Sequence, residues 1–410
     1  MAEALSSTSP TFTPSRARPA FATAVASMET PPIPLVQSWA RAYDAGRGGG
    51  GLLDLSQAVP GYPTADQLVG ALREAVNDRS LDGYGDIEGE GELRAAFAAQ
   101  QRDVLGASVA SENILITSGC NQAFVVAALT LVGAGGRVML TNPMFFNNAS
   151  ALDMLGIATC SVGCGEETAF MPEPERVEQA LGEHRPAALA LVSPNNPTGA
   201  TYDADRFTAI QHICAAHGTW LIVDETYAEF ISEAPGLPRH RLLQAEGWEA
   251  STVLLTSFSK AYCAPGLRVG AMTAGAAVVN EAVKVVDNLQ ICAPRAAQRA
   301  LARSIAPLES WRAQNRSEIT RRVAAFRDGF AAADGWEIVA SGAYFAYVRH
   351  PFTDRDARDV CEALARDVGV VALPGSFFGQ GQGQYMRMAV ANVDATAAGT
   401  VGARLAAFTL

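Results

Sequence analysis

The chain of 410 residues has no uninterrupted apolar stretch of the about 18 to 20 residues that a membrane-spanning helix needs. Basic residues are in short supply: 31 Lys and Arg stand against 42 Asp and Glu, a net charge of -11. Such a surface repels phosphate backbones, which argues against a nucleic-acid partner. The seven cysteines, at 120, 160, 164, 214, 263, 292 and 361, are odd in number and lack framework spacing, and no segment resembles a signal peptide. Free thiols in a soluble, cytoplasmic protein are the expectation. Cys160 and Cys164 have no second Cys/His pair to complete a metal site, so no metal is expected. None of the five histidines falls in a motif, which leaves histidine-driven hydrolysis without support.

About half of the residues are apolar, and 37 glycines and 21 prolines are spread along the chain, as many strand-to-helix connections require. Residues 1–34 are rich in Ser, Thr, Pro and Ala. Glu3, Glu29 and the lack of an apolar run favour a disordered leader over a targeting peptide. From about residue 110, short apolar runs alternate with amphipathic stretches: "NILITS", "RVMLT", "ALALVS", "TWLIVD", "TVLLTS" and "RVGAMTA". Near-continuous apolar strands separated by helices predict an α/β fold with a largely parallel sheet covered on both faces. After about residue 300 one long helix is expected past Pro307, then short strands "EIVA", "AYFAYVRH" and "VVALP" around the helix "DARDVCEALARDVG", a smaller α+β unit. "GAGGRV", at 133–138, precedes a strand, whereas a dinucleotide fingerprint must open a helix.

In open α/β sheets ligands gather beyond the carboxyl ends of the strands. Gly119, Asn196, Asp224 and Lys260 all follow or end predicted strands. Lys260, in "SFSKAYCAPGLRVG", is flanked by Ser257 and Ser259 and followed by Arg268. A lysine desolvated beside a cation is partly a neutral amine able to attack an aldehyde, and the hydroxyls and guanidinium suit a phosphate. In "TSGCNQ" a glycine turn opens a helix whose first amides, around Cys120 and Asn121, are free for an anion. An Asp at a strand end ordinarily caps the next helix. If the aldehyde belongs to a pyridine ring, Asp224 instead keeps the ring nitrogen protonated, while Tyr227 and Asn196 hydrogen-bond a ring hydroxyl.

"SPNNPTG", "VDETY" and "SFSKAYCAPGLRVG", in that order, resemble the signatures of the class I/II aminotransferases, pyridoxal-5'-phosphate enzymes of fold type I, and the resemblance runs from about "LLDLSQAVPGYP" to "YMRMAVAN". It implies a mostly parallel seven-stranded sheet in a large domain, 58–299, and a small domain formed by 35–57 and 300–410. It also implies transfer of an amino group from an L-amino acid to a 2-oxo acid through a Schiff base on Lys260. Ser257, Arg268 and the amides near Gly119, Cys120 and Asn121 would hold the phosphate. Phe145 would stack on the ring, and Arg387 would grip the substrate α-carboxylate. Tyr84 would reach the phosphate of the neighbouring subunit, making a homodimer with shared active sites. Ala58, near Pro60, stands where many relatives have a glycine and would narrow the substrate entrance. Asn288 lies about where dicarboxylate-specific members carry an arginine, which disfavours aspartate or glutamate as donor, although Arg295 is nearby. A lyase, cyclase or oxidase of the same fold is the alternative within the cofactor class. A non-catalytic regulator is disfavoured, because fewer than 60 residues precede the first motif.

Overall fold

The computed structural model describes residues 21–26, 28–48, 50–231 and 239–410. After a two-residue strand β1 (Leu53–Asp54) come β2 (Ile114–Thr117), β3 (Arg137–Asn142), β4 (Ala158–Gly163), β5 (Ala188–Val192), β6 (Trp220–Asp224), β7 (Thr252–Ser257) and β8 (Gly270–Thr273). These last seven form one sheet in the order β2-β8-β7-β6-β5-β3-β4. Every residue of β2, β5 and β8 is buried. Both faces of the sheet are covered, with Phe97, Ile210 and Leu301 among the residues packed on one side and Phe124, Leu152 and Val279 on the other. This is the layered α/β arrangement expected from the unbroken apolar runs.

Six of the seven strands are parallel, and β8 is antiparallel to both of its neighbours. The cause lies in "AYCAPGLRVG": the chain turns back from β7 through a single helical turn and a Pro-Gly turn, too short a link for the crossover that a parallel partner needs. β4 produced no apolar run because it is the sheet edge and four of its six residues are exposed.

A second core gathers Val36 and Trp39 with residues from Ile319 to Phe408. Its sheet has the antiparallel order β12-β13-β10-β9, where β9 is Glu337–Gly342, β10 Phe345–Arg349, β12 Leu373–Pro374 and β13 Tyr385–Ala389. "VVALP" divides in two, since β11 (Val370–Val371) pairs with β1 while β12 pairs with β13. The expected long helix spans Glu309–Phe330.

Two observations bear on the expected leader and domain limits. Residues 1–20 of the expected leader lie outside the described residues, but Pro32, Ile33 and Pro34 open the helix Pro32–Ala40 instead of belonging to a disordered leader. Proline suits the first helical position, and burial of Val36 and Trp39 anchors the helix. Residues 300–308 do not join the second core: Ala300, Leu301, Ile305 and Leu308 pack onto the large sheet. No helix among the described residues is long and apolar enough to cross a membrane.

Candidate active site

The carboxyl ends of β5, β6 and β7 and the turn after β2 open on one cavity of about 220 Å³. Its walls include Cys120, Asn121, Phe145, Asn196, Asp224, Tyr227, Ser257, Lys260 and Arg268, nine of the residues singled out in the sequence. Chain reversal after β7 explains much of this convergence. The Ser257 hydroxyl accepts from the Ser259 amide at 3.2 Å and starts the helical turn Phe258–Ala261 that carries Lys260. Arg268 then has φ 52°, a left-handed conformation uncommon for a side-chain-bearing residue. Its guanidinium returns to the turn after β2, where Nη2 donates to the Ser118 carbonyl at 3.2 Å. Gly119, at φ +89°, makes room for it, since a Cβ there would collide with the Arg268 Nη2 atom. The next amides, Cys120 and Asn121, start the helix Cys120–Leu131 and have no intrahelical acceptor. Cationic fork, hydroxyl and helix start together make an anion cradle.

Lys260 faces the cavity, and desolvation by burial, assisted by Arg387 and Arg268, lowers its pKa to about 8. Burial raises the pKa of Asp224, while the Thr226 side chain and backbone amide and the Cys120 thiol oppose the rise. The Thr226 amide donates to Asp224 Oδ1 at 2.8 Å, and no cationic side chain pairs with this carboxylate among the described residues. Asn196 Nδ2 donates to the Tyr227 hydroxyl at 3.4 Å, and Asn196 Oδ1 accepts from Arg387 Nη1 at 3.0 Å. Arg387 is 2 % exposed, donates also to the Ser56 carbonyl, and lies over the rings of Phe345 and Phe378. Its Nε has no hydrogen-bond partner among the described residues, and burial lowers its pKa to about 10. A guanidinium so enclosed, with donors to spare, suits a carboxylate ligand.

Arg387 itself stands just behind the cavity wall, joined to it through Asn196, and the remaining candidates do not line the cavity of the single chain either. Tyr84 is 80 % exposed. Ala58 is half-buried, with its carbonyl accepting from the Tyr344 hydroxyl at 3.0 Å. Asn288 is exposed and donates to the Lys284 carbonyl at 2.8 Å. Arg295 is held by Glu90 at 2.6 Å. Sequence reasoning missed Thr226, Asn147, Val192 and Pro265 in the wall. Of these only Thr226 had a legible signal, because an Asp side chain often accepts from the amide two residues on.

Residues 51–402 match the family described as aminotransferase class I and II. The chain belongs to this family. The aminotransferase is 29% identical to "Aromatic aminotransferase ISS1" of Arabidopsis thaliana over 86% of its own length and 88% of that protein. It is 28% identical to "Arginine--pyruvate transaminase AruH" of Pseudomonas aeruginosa, over 82% and 85% of the two chains. Its fold matches a double mutant of Thermus thermophilus aspartate aminotransferase with a TM-score of 0.85 at 24% identity, covering 95% of this chain and 100% of that one. These relatives support amino-group transfer and do not favour the lyase, cyclase or oxidase alternative. The cofactor of the class is pyridoxal 5'-phosphate, and the cavity fits it: an anion cradle, an amine of lowered pKa and a buried carboxylate without a cation are the complements of its phosphate, aldehyde and ring nitrogen.

Proposed function

We propose that this aminotransferase works from Lys260, and that its donors are amino acids with uncharged side chains. The observation that carries the first part is the meeting of Lys260, Asp224 and the Arg387–Asn196–Tyr227 chain of hydrogen bonds at one cavity. Arg268, Ser257 and the amides of Cys120 and Asn121 would hold the cofactor phosphate, and Phe145 would cover the ring. Bound pyridoxal 5'-phosphate supplies an electron-accepting ring that spreads the charge left when the substrate α-carbon loses its proton. Asp224, fixed by Thr226, would favour a proton on the ring nitrogen. Asn196 and Tyr227 present donors to the ring oxygen. Lys260 would hold the cofactor at its aldehyde group, and its amine, when free, would carry the proton of the substrate α-carbon. Arg387 orients the substrate by its carboxylate, which decides which bond stands over the ring.

The cations in the wall and just behind it are thereby assigned: Arg268 to phosphate, Lys260 to chemistry, and Arg387, joined to the wall through Asn196, to the α-carboxylate. Arg295 is already paired with Glu90, and Asn288 carries no charge. No arginine remains for a side-chain carboxylate among the described residues that line the cavity. Half-reaction rates with single donors test this reading: phenylalanine, leucine or methionine should react at least about tenfold faster than aspartate or glutamate, a difference of about 1.4 kcal/mol. Preference for a dicarboxylate would contradict it.

The dimer belongs to the same proposal. Tyr84 and Leu289 are large and exposed, as residues meeting a second copy would be. The cytoplasm is the proposed location, in keeping with seven unpaired cysteines. A cofactor-holding unit up to about Leu308 and a smaller unit completed by residues 35–57 are the proposed domains, following the two cores.

A further inference from the structure

Behind the cofactor cavity lies a second, smaller chamber of about 50 Å³. Thr226 and Ser257 line both, so they form a shared wall. Five polar atoms of residues lining the chamber have no hydrogen-bond partner among the described residues: Gln101 Oε1, Glu225 Oε2, Thr256 Oγ1, Arg239 Nε and Arg312 Nε. Gln101, Glu225 and Arg312 are each more than nine-tenths buried. Leaving buried polar atoms unsatisfied is costly, and five around one space call for an occupant.

The donor and acceptor inventory identifies its chemistry. A bare anion would satisfy the two arginine nitrogens and be repelled by Glu225, and a bare cation would do the reverse. A neutral molecule that both donates and accepts serves all five. The volume holds about three to five waters at about 10–15 Å³ each, and each would find several polar partners. We propose that this chamber is a built water site: a small ordered cluster solvates the buried Glu225 carboxylate and supports the wall through which Thr226 fixes Asp224. Glu225 also accepts a bond from His240 at 3.0 Å on its other oxygen, so the cluster would complete its coordination. Arg312 donates to Glu229 at 2.7 Å and lies over the Tyr262 ring, which ties the chamber to the segments bearing Tyr227 and Lys260.

A crystal structure of the holoenzyme, at a resolution that shows ordered water, tests the occupant. Two or more waters bonded to Glu225, Thr256 and Gln101 are expected. An empty chamber, or one closed by rotation of Arg312 or Gln101, would overturn the proposal. So would an anomalous peak there after a bromide soak, which would make it an anion site. The supporting role is tested by Gln101→Leu and by the nearly isosteric Thr256→Val, each checked for folding by circular dichroism. Each variant should lose chamber water and bind pyridoxal 5'-phosphate at least about threefold more weakly in titrations of the apoprotein. Unchanged affinity in a folded Thr256→Val protein that has lost water would refute that role. This second arm rests on the neighbouring cavity being the cofactor site, whereas the crystallographic arm does not, so the two readings can fail separately.

Discussion

Burial beside Arg387 and Arg268 leaves Lys260 titrating at about 8 instead of 10.5. Capture of added pyridoxal 5'-phosphate by the apoprotein, followed as visible absorbance, should therefore speed up with rising pH around a midpoint near 8; a midpoint near 10.5 would contradict the site electrostatics. Arg387→Met removes the leading charged contribution, so the midpoint should move upward. The same change should raise the donor concentration for half-maximal rate by about one to two orders of magnitude, because a buried guanidinium–carboxylate contact is lost. The sign of the stability effect follows from the depressed pKa. Between about 8 and 10.5 the unfolded chain holds a proton on this lysine that the folded apoprotein does not, so the cost of burying the charge is present below pH 8 and disappears as pH rises through that window. Asp224→Ala should still fold and bind the cofactor, yet turn over at least about a hundredfold more slowly; a near-normal rate would remove its role at the ring nitrogen. Asp224 and Lys260 were legible in the sequence because charged or reactive groups stood at or just after strand ends, whereas Arg387, in the middle of β13, was read only through the family resemblance. Asn147 was not legible, since an uncharged residue in the first turn of the helix Phe146–Met154 shows no purpose until its neighbours are known. The buried Glu225–His240 pair was hidden for a related reason: its partners meet only through the packing of separate segments.

At the scale of elements, the turn between β2 and the helix Cys120–Leu131 leaves no room for a side chain at Gly119. Gly119→Ala would put a methyl group against the Arg268 guanidinium in a left-handed conformation. Strain of about 1–3 kcal/mol follows, and cofactor affinity should fall about five- to hundredfold while secondary structure stays intact. Affinity equal to wild type would mean that this turn does not hold the phosphate. The six strands expected from sequence all formed because burial on both faces writes an unbroken apolar run. β4 escaped notice as a half-exposed edge, and the reversed direction of β8 depended on the short link after Lys260. The helix Glu309–Phe330 was readable because its apolar spacing follows the helical period, whereas the division of "VVALP" reflects two different pairing partners that no local pattern reveals.

At the scale of the whole molecule, the exposed Tyr84 distinguishes a lone subunit from a shared site. Under the proposed dimer, mixing a Lys260→Ala protein with a Tyr84→Ala protein and allowing exchange should create one intact site per mixed dimer. Activity should then rise above that of the two proteins measured separately. Activity equal to their unmixed sum would indicate that sites are complete within one chain. The order of the motifs made the architecture legible, but the limits of the two cores were not, because residues 300–308 belong to the large sheet by packing and not by composition. The account as a whole depends on Lys260 holding the cofactor and passing an amino group. The measurement that bears on it most directly is the visible absorbance of the protein loaded with pyridoxal 5'-phosphate, alongside its Lys260→Ala variant, before and after an L-amino acid with an uncharged side chain is added. The wild-type protein should show a yellow band that bleaches as a 2-oxo acid appears, and the variant should form no 2-oxo acid; turnover in the variant, or no band in the loaded wild type, would contradict it.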